Sequence, residues 1–162
     1  MKPTELLAAL EELYRDKLAM RRRHVAAARF VAHYEFNNAY QYVIAREDVH
    51  LSWLRDAVTG LHGTLAEVAE PDLGAPRAAA AARGAIFQED VAASRAFVEK
   101  WQGRVPAITN ARHLRMCEVV LGETREQQRF FEQALEGRDD LLGRRHANIG
   151  TGGGVLPVRW VE

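Results

Sequence analysis

The chain has one cysteine, Cys117, so no disulfide can form within it. A lone thiol fits a reducing compartment, and the cytoplasm is the expected location. An excess of either charge is also missing, with Lys and Arg numbering 22 and Asp and Glu numbering 22. That balance argues against a dedicated nucleic-acid binder or a polybasic membrane protein. No apolar run approaches the ~20 residues that a bilayer span requires. The first residues, Met1 to Leu10, carry Glu5 and no apolar core, so no secretion signal is expected there. Neither proline nor glycine occurs between Thr4 and Thr59, which removes the usual helix breakers from more than a third of the chain. No tandem repeat stands out.

What is present is helical periodicity. In the run Tyr40 to Leu61, the residues Tyr40, Ile44, Glu47, Leu51, Leu54, Val58 and Leu61 share one stripe, with Val43, His50 and Ala57 beside it. Glu47 lies on the face that enters a core, and His50 is spaced i, i+3 from it. A buried carboxylate must be paired or metal-bound. Glu-x-x-His is a spacing by which one bundle helix offers two metal ligands.

The spacing predicts a first helix from residue 4 to about 34, with Thr4 as N-cap and a stripe through Leu6, Leu10, Leu13, Lys17, Met20, His24, Ala27, Val31 and Tyr34. A single helix to residue 60 would be about 85 Å long, too long for a compact domain. A turn near 35–38 is therefore expected at Asn37-Asn38. The second helix is expected over about 38–61, ended by His62-Gly63 with Gly63 as cap. Residues 62–76 form the longest connection, with a turn of helix at Leu65–Ala69 and a reach of about 50 Å if extended. A third helix is expected over roughly 77–102, opening on Ala78 to Ala82 and carrying Ile86, Asp90, Ala93, Phe97 and Trp101 on its stripe. A fourth is expected over about 107–136, carrying Cys117, Thr124, Gln128, Phe131 and Leu135 and ended by Gly137, with a short helical piece at 138–147. The predicted fold is all-α: a four-helix bundle of two long hairpins joined by a long middle connection. Residues 1–148 form the bundle and 149–162 a Gly-rich C-terminal tail. Thr151-Gly152-Gly153-Gly154 has no preceding strand and no following Lys-Ser/Thr, so it is no phosphate loop. The apolar end, Val155 to Val161, is expected to pack on the bundle or on a second subunit, and a homodimer is the expected assembly.

Helices paired one-two and three-four, a long middle connection, and the stretch Ala45-Arg46-Glu47-Asp48-Val49-His50-Leu51-Ser52-Trp53-Leu54 resemble the ferritin-like superfamily, rubrerythrin-type proteins included. The resemblance implies a metalloprotein holding one or two iron or manganese ions between its helices and reacting with oxygen or peroxide. It also implies a second Glu-x-x-His on the fourth helix and a Glu on the first and third. Here the fourth helix offers Glu123-Thr124-Arg125-Glu126 and Glu126-Gln127-Gln128-Arg129, neither with a His, while the third offers Glu89 or Asp90 and the first Glu12 or Asp16.

Position alone suggests a ligand set. Folded about residue 36, the first hairpin sets His24 and Glu47 at similar depth with His50 near by; folded near 104, the second sets Asp90 and Cys117 at similar depth. His24, Glu47, His50 and Asp90 together have donors that suit iron, manganese or zinc. The simpler alternative is an inter-helix ion pair of Glu47 with Lys17 in a bundle that has lost its metal centre. A third reading is a small-molecule pocket lined by Trp53, Phe97 and Trp101. Cys117 reads as a small buried apolar residue, and Arg21-Arg22-Arg23 as a solvated turn.

Overall fold

The computed structural model describes residues 2–65, 67–69 and 80–143. Four helices, α1 (Pro3–Ala28), α2 (Tyr34–Gly60), α3 (Ala80–Gln102) and α4 (Ala111–Leu135), form the all-α bundle. Neighbours around the square are α1 with α2, α2 with α4, α4 with α3, and α3 with α1. The diagonals are α1–α4 and α2–α3.

Direction follows from the cross-helix pairs. Arg23 meets Asp90 while Arg104 meets Glu12, so α1 and α3 are antiparallel. Arg46 meets Glu123 while Tyr42 packs on Phe130, so α2 and α4 are antiparallel. With α1 and α2 forming a hairpin, the order is up, down, down, up. The α2–α3 connection therefore joins opposite ends of the bundle, as its length allows.

Pro3 stands in the first turn of α1, where its missing N–H is no loss. Glu5 accepts a hydrogen bond from the Lys2 backbone N–H at 2.8 Å, so the cap lies two residues before the expected Thr4. The first turn of the chain is also earlier than predicted, at 29–33. Asn37 is not in it. Its side-chain amide, from the first turn of α2, donates to Ala28 O at 3.1 Å and Val31 O at 3.2 Å. Ala28 O is among the carbonyls that the end of α1 leaves without an intrahelical partner, and Val31 O lies in the turn that follows. Val31, buried beside them, plugs that end of the core.

α2 closes on His62, which adopts φ 59°, rather than on Gly63. The Gly63 N–H returns to Val58 O at 2.9 Å, the longer bond of a Schellman ending. A Cβ at Gly63 would also meet Leu7 Cδ1, Glu11 Oε1 (2.6 Å) and Val58 Cγ1 (2.8 Å), so these side chains would have to shift to admit one. Residues 65 and 67–69 are not helical, and neither are 138–143. A 3₁₀ turn at Val105–Ala107 precedes α4, which starts at Asn110, whose side chain accepts from His113 N–H at 3.1 Å. Gly137, at φ 83°, ends α4 as expected. The tail, 149–162, lies outside the described residues.

The core has two apolar clusters. One gathers Leu10, Leu13, Leu54, Val58, Trp101, Cys117 and Val120. The other, toward the opposite end, gathers Val31, Phe36, Tyr40, Val43, Phe87 and Phe131. Between them lies a buried polar layer: Lys17, His24, Glu47, His50, Asp90, Ser94, Thr124 and Gln127.

Candidate functional site: the buried polar layer

The layer is built from residues that helical periodicity places on inward faces. Placing the turn at 29–33 sets Lys17 of α1 level with Glu47 of α2. Lys17 Nζ lies 3.0 Å from Glu47 Oε1, with neither side chain exposed to any degree. The same ammonium donates across the α1–α4 diagonal to Thr124 Oγ1 at 3.1 Å and Gln127 Oε1 at 3.2 Å. Two of its three donors are thus spent on α4, and the ammonium meets Glu47 Oε1 as a charge contact rather than a formed hydrogen bond. Its far side faces the Phe97 ring, 5.4 Å from the centroid.

His24 stands two helical turns along α1 from Lys17 and reaches the other Glu47 oxygen, with Nδ1 2.9 Å from Oε2. Burial alone would push the Glu47 carboxyl up, but the charges and hydrogen bonds of His24 and Lys17 override it and hold the group at about 2. Glu47 is therefore an anion between two partners on α1.

His50 does not join this cluster. Its Nε2 is 2.8 Å from Glu123 Oε2 on α4, and Glu123 is also clasped by Arg46, whose Nε donates to the same oxygen at 2.8 Å. Burial, with the Lys17 charge, depresses the His50 ring to about 4 against the pull of Glu123. At neutral pH the ring is uncharged, and it donates an Nε2 proton to the carboxylate.

Asp90 belongs to a third unit. Across the α2–α3 diagonal it accepts from the Tyr40 hydroxyl, and Arg23 Nε donates to its other oxygen at 2.6 Å. Burial first, then the negative charge of Asp90, raises the Tyr40 phenol well above its ordinary value. It stays protonated as a donor.

Of the four residues singled out as a ligand set, the structure thus brings His24 to Glu47. It directs His50 to Glu123 and Asp90 to Tyr40 and Arg23. Among the described residues, no three His, Cys, Asp or Glu side chains converge as a metal site would require. As the side chains stand, Glu47 has no oxygen free for a metal ion, because one faces the Lys17 ammonium and the other His24. The other carboxylates weighed as ligands also have other partners. Glu12 pairs with Arg104 and Lys100, Asp16 with Lys100 and the Trp101 indole, and Glu89 with Arg23.

Two members of the layer, and one partner at its edge, were not legible as such. Gln127, not Gln128, is the buried glutamine of α4, and Ser94 rather than Ala93 faces inward from α3. Glu123, whose motif on the fourth helix has no His to match it, is the carboxylate that holds His50. Phe97 and Trp101 are core residues, while Trp53 is 38% exposed, so these three line no common pocket. Trp53 instead borders a surface cleft of about 530 Å³ between the end of α2 and the start of α4, with Ala57, Leu61, Arg112, His113 and Met116. No helix among the described residues is long and apolar enough to cross a membrane. No protein-family model, curated protein or solved structure gives a significant match to the chain.

Proposed function

We propose that this chain is a non-catalytic four-helix bundle, ferritin-like in arrangement, in which an internal ion pair stands where a metal centre would. It serves as a structural or small-molecule-binding module. The observation that carries the reading is the Lys17–Glu47 pair at 3.0 Å, fully buried. A carboxylate whose charge is met by an ammonium offers a divalent ion little, and the ammonium would have to be expelled or deprotonated first. The cleft beside Trp53 supports the binding half of the proposal. Its volume of about 530 Å³ lies within the usual span of small-molecule sites. It is a separate place from the polar layer, so ligand binding there requires no change in the ion pair.

The test is elemental analysis of protein purified without chelator, then incubated with iron(II) or manganese(II). Substoichiometric metal, unchanged by the incubation, is the expected result. A full equivalent that disappears in Glu47→Gln would refute the reading.

One observation favours a second reading, a metalloprotein holding iron or manganese and reacting with oxygen or peroxide. His24 Nε2 and His50 Nδ1 are buried and have no hydrogen-bond partner among the described residues. Imidazole nitrogens left bare in a core are costly, and a metal would satisfy them. The same elemental analysis separates the two readings.

A further inference from the structure

We infer that the oxygens of Glu47, Thr124 and Gln127 form a monovalent-cation site, one that takes a primary ammonium and that α1 fills from within by Lys17. The inference rests on the metal-free reading above and gives the polar layer a specific chemistry.

The geometry is that of a built site. Glu47 Oε1, Thr124 Oγ1 and Gln127 Oε1 stand 3.0, 3.1 and 3.2 Å from one nitrogen. The oxygens come from two helices, α2 and α4, and the nitrogen from a third. Each of the four side chains is buried. Thr124 and Gln127 are spaced i, i+3 on α4, as Glu47 and His50 are on α2, so two helices present inward pairs to one layer. Thr124 is itself fixed, its hydroxyl donating to Val120 O at 2.7 Å, which leaves a lone pair for the ammonium.

Charge selects the occupant. Of the three acceptors only Glu47 is ionised, and its second oxygen faces His24, so the shell carries at most one negative charge. A monocation neutralises it, whereas a divalent ion would leave an uncompensated charge in a low-dielectric interior. Glu47 supplies the counter-charge at 3.0 Å, and Thr124 and Gln127 accept from two of the N–H donors of a primary ammonium. A quaternary ammonium has none to offer. Above the nitrogen, the Phe97 ring presents its face at 5.4 Å, a further preference for an organic cation.

Lys17→Ala removes the ammonium and the methylene stem together, leaving room for a short alkylammonium. The variant is unfolded thermally in propylammonium chloride and, at the same concentration, in tetramethylammonium chloride or manganese(II) chloride. Propylammonium is expected to restore at least half of the lost thermal midpoint, and the other two salts none. Adding Glu47→Gln to the variant should abolish that rescue. If Lys17→Ala is unfolded on its own, the readout becomes recovery of helical circular dichroism on titration with propylammonium. Equal effects of propyl- and tetramethylammonium would overturn the inference, as would rescue that survives Glu47→Gln. Rescue by manganese alone would overturn the charge argument. The metal content of the native protein bears only on the proposed function, so the two can fail separately.

Discussion

Lys17 and Glu47 neutralise each other at 3.0 Å inside a core that excludes water from both. An interaction of this kind is better judged by what its breakage does than by what its presence adds. Lys17→Met leaves the Glu47 anion with His24 alone, and about 3–5 kcal/mol of stability should be lost. The double variant Lys17→Met/Glu47→Leu removes both charges. It should recover most of that loss, because two desolvation penalties vanish together. Equilibrium urea unfolding of the single and double variants checks this. A double variant as unstable as Lys17→Met would show that the pair does more than cancel charge.

How much of this layer the sequence revealed depends on what each residue's placement rests on. Glu47, His50, His24, Lys17 and Asp90 were legible because a polar side chain on an apolar stripe is conspicuous, and all five are buried. Their partners were not. Periodicity of 3.6 cannot choose between Gln127 and Gln128, since both fall near the stripe through Thr124; the ammonium on α1 makes the choice. The first turn was misplaced for a related reason. Asn37 does cap the end of α1, but it does so from within α2, so the residue that signals the break lies past it. The hairpin pairing and the long middle connection were readable because helix lengths and loop lengths alone constrain them.

Tyr40 and Asp90 make the corresponding contact on the other diagonal. Tyr40→Phe keeps the ring packed among His24, Phe87 and Phe131 and removes only the hydroxyl. One Asp90 oxygen then loses its donor while Arg23 still holds the other. A hydrogen bond to a charged group contributes about 1.5–3 kcal/mol, and a loss in that range is expected in urea unfolding. A loss below about 0.5 kcal/mol would mean that solvent or Arg23 replaces the phenol.

Cys117 is completely buried in the cluster with Trp101 and Val120, and burial pushes its thiol up to about 12. The thiolate is the reactive form, so the native protein should not react with a disulfide reagent at neutral pH. One equivalent should react after denaturation, matching the single cysteine. Prompt reaction in the native state would place Cys117 elsewhere.

Acid should unfold the bundle in two stages, because two buried groups bind protons later when folded than when unfolded. The His50 ring is depressed to about 4 from 6.5, chiefly by burial. The unfolded chain therefore takes up this proton as pH falls below 6.5, while the folded chain resists until about 4. Stability from neutral His50 is whole above 6.5 and drains away between those values. Glu47 follows lower down. His24 and Lys17 outweigh burial and hold its carboxyl at about 2 against 4.5, so its contribution is whole above 4.5 and is lost as pH falls through 2. Each shift corresponds to about 3 kcal/mol at most. Urea unfolding at about pH 7.5, 5 and 3 should show a decline across both intervals. In His50→Gln the upper stage should flatten and the lower remain. A His50→Gln protein that still loses stability just as steeply between 6.5 and 4 would remove His50 as the cause.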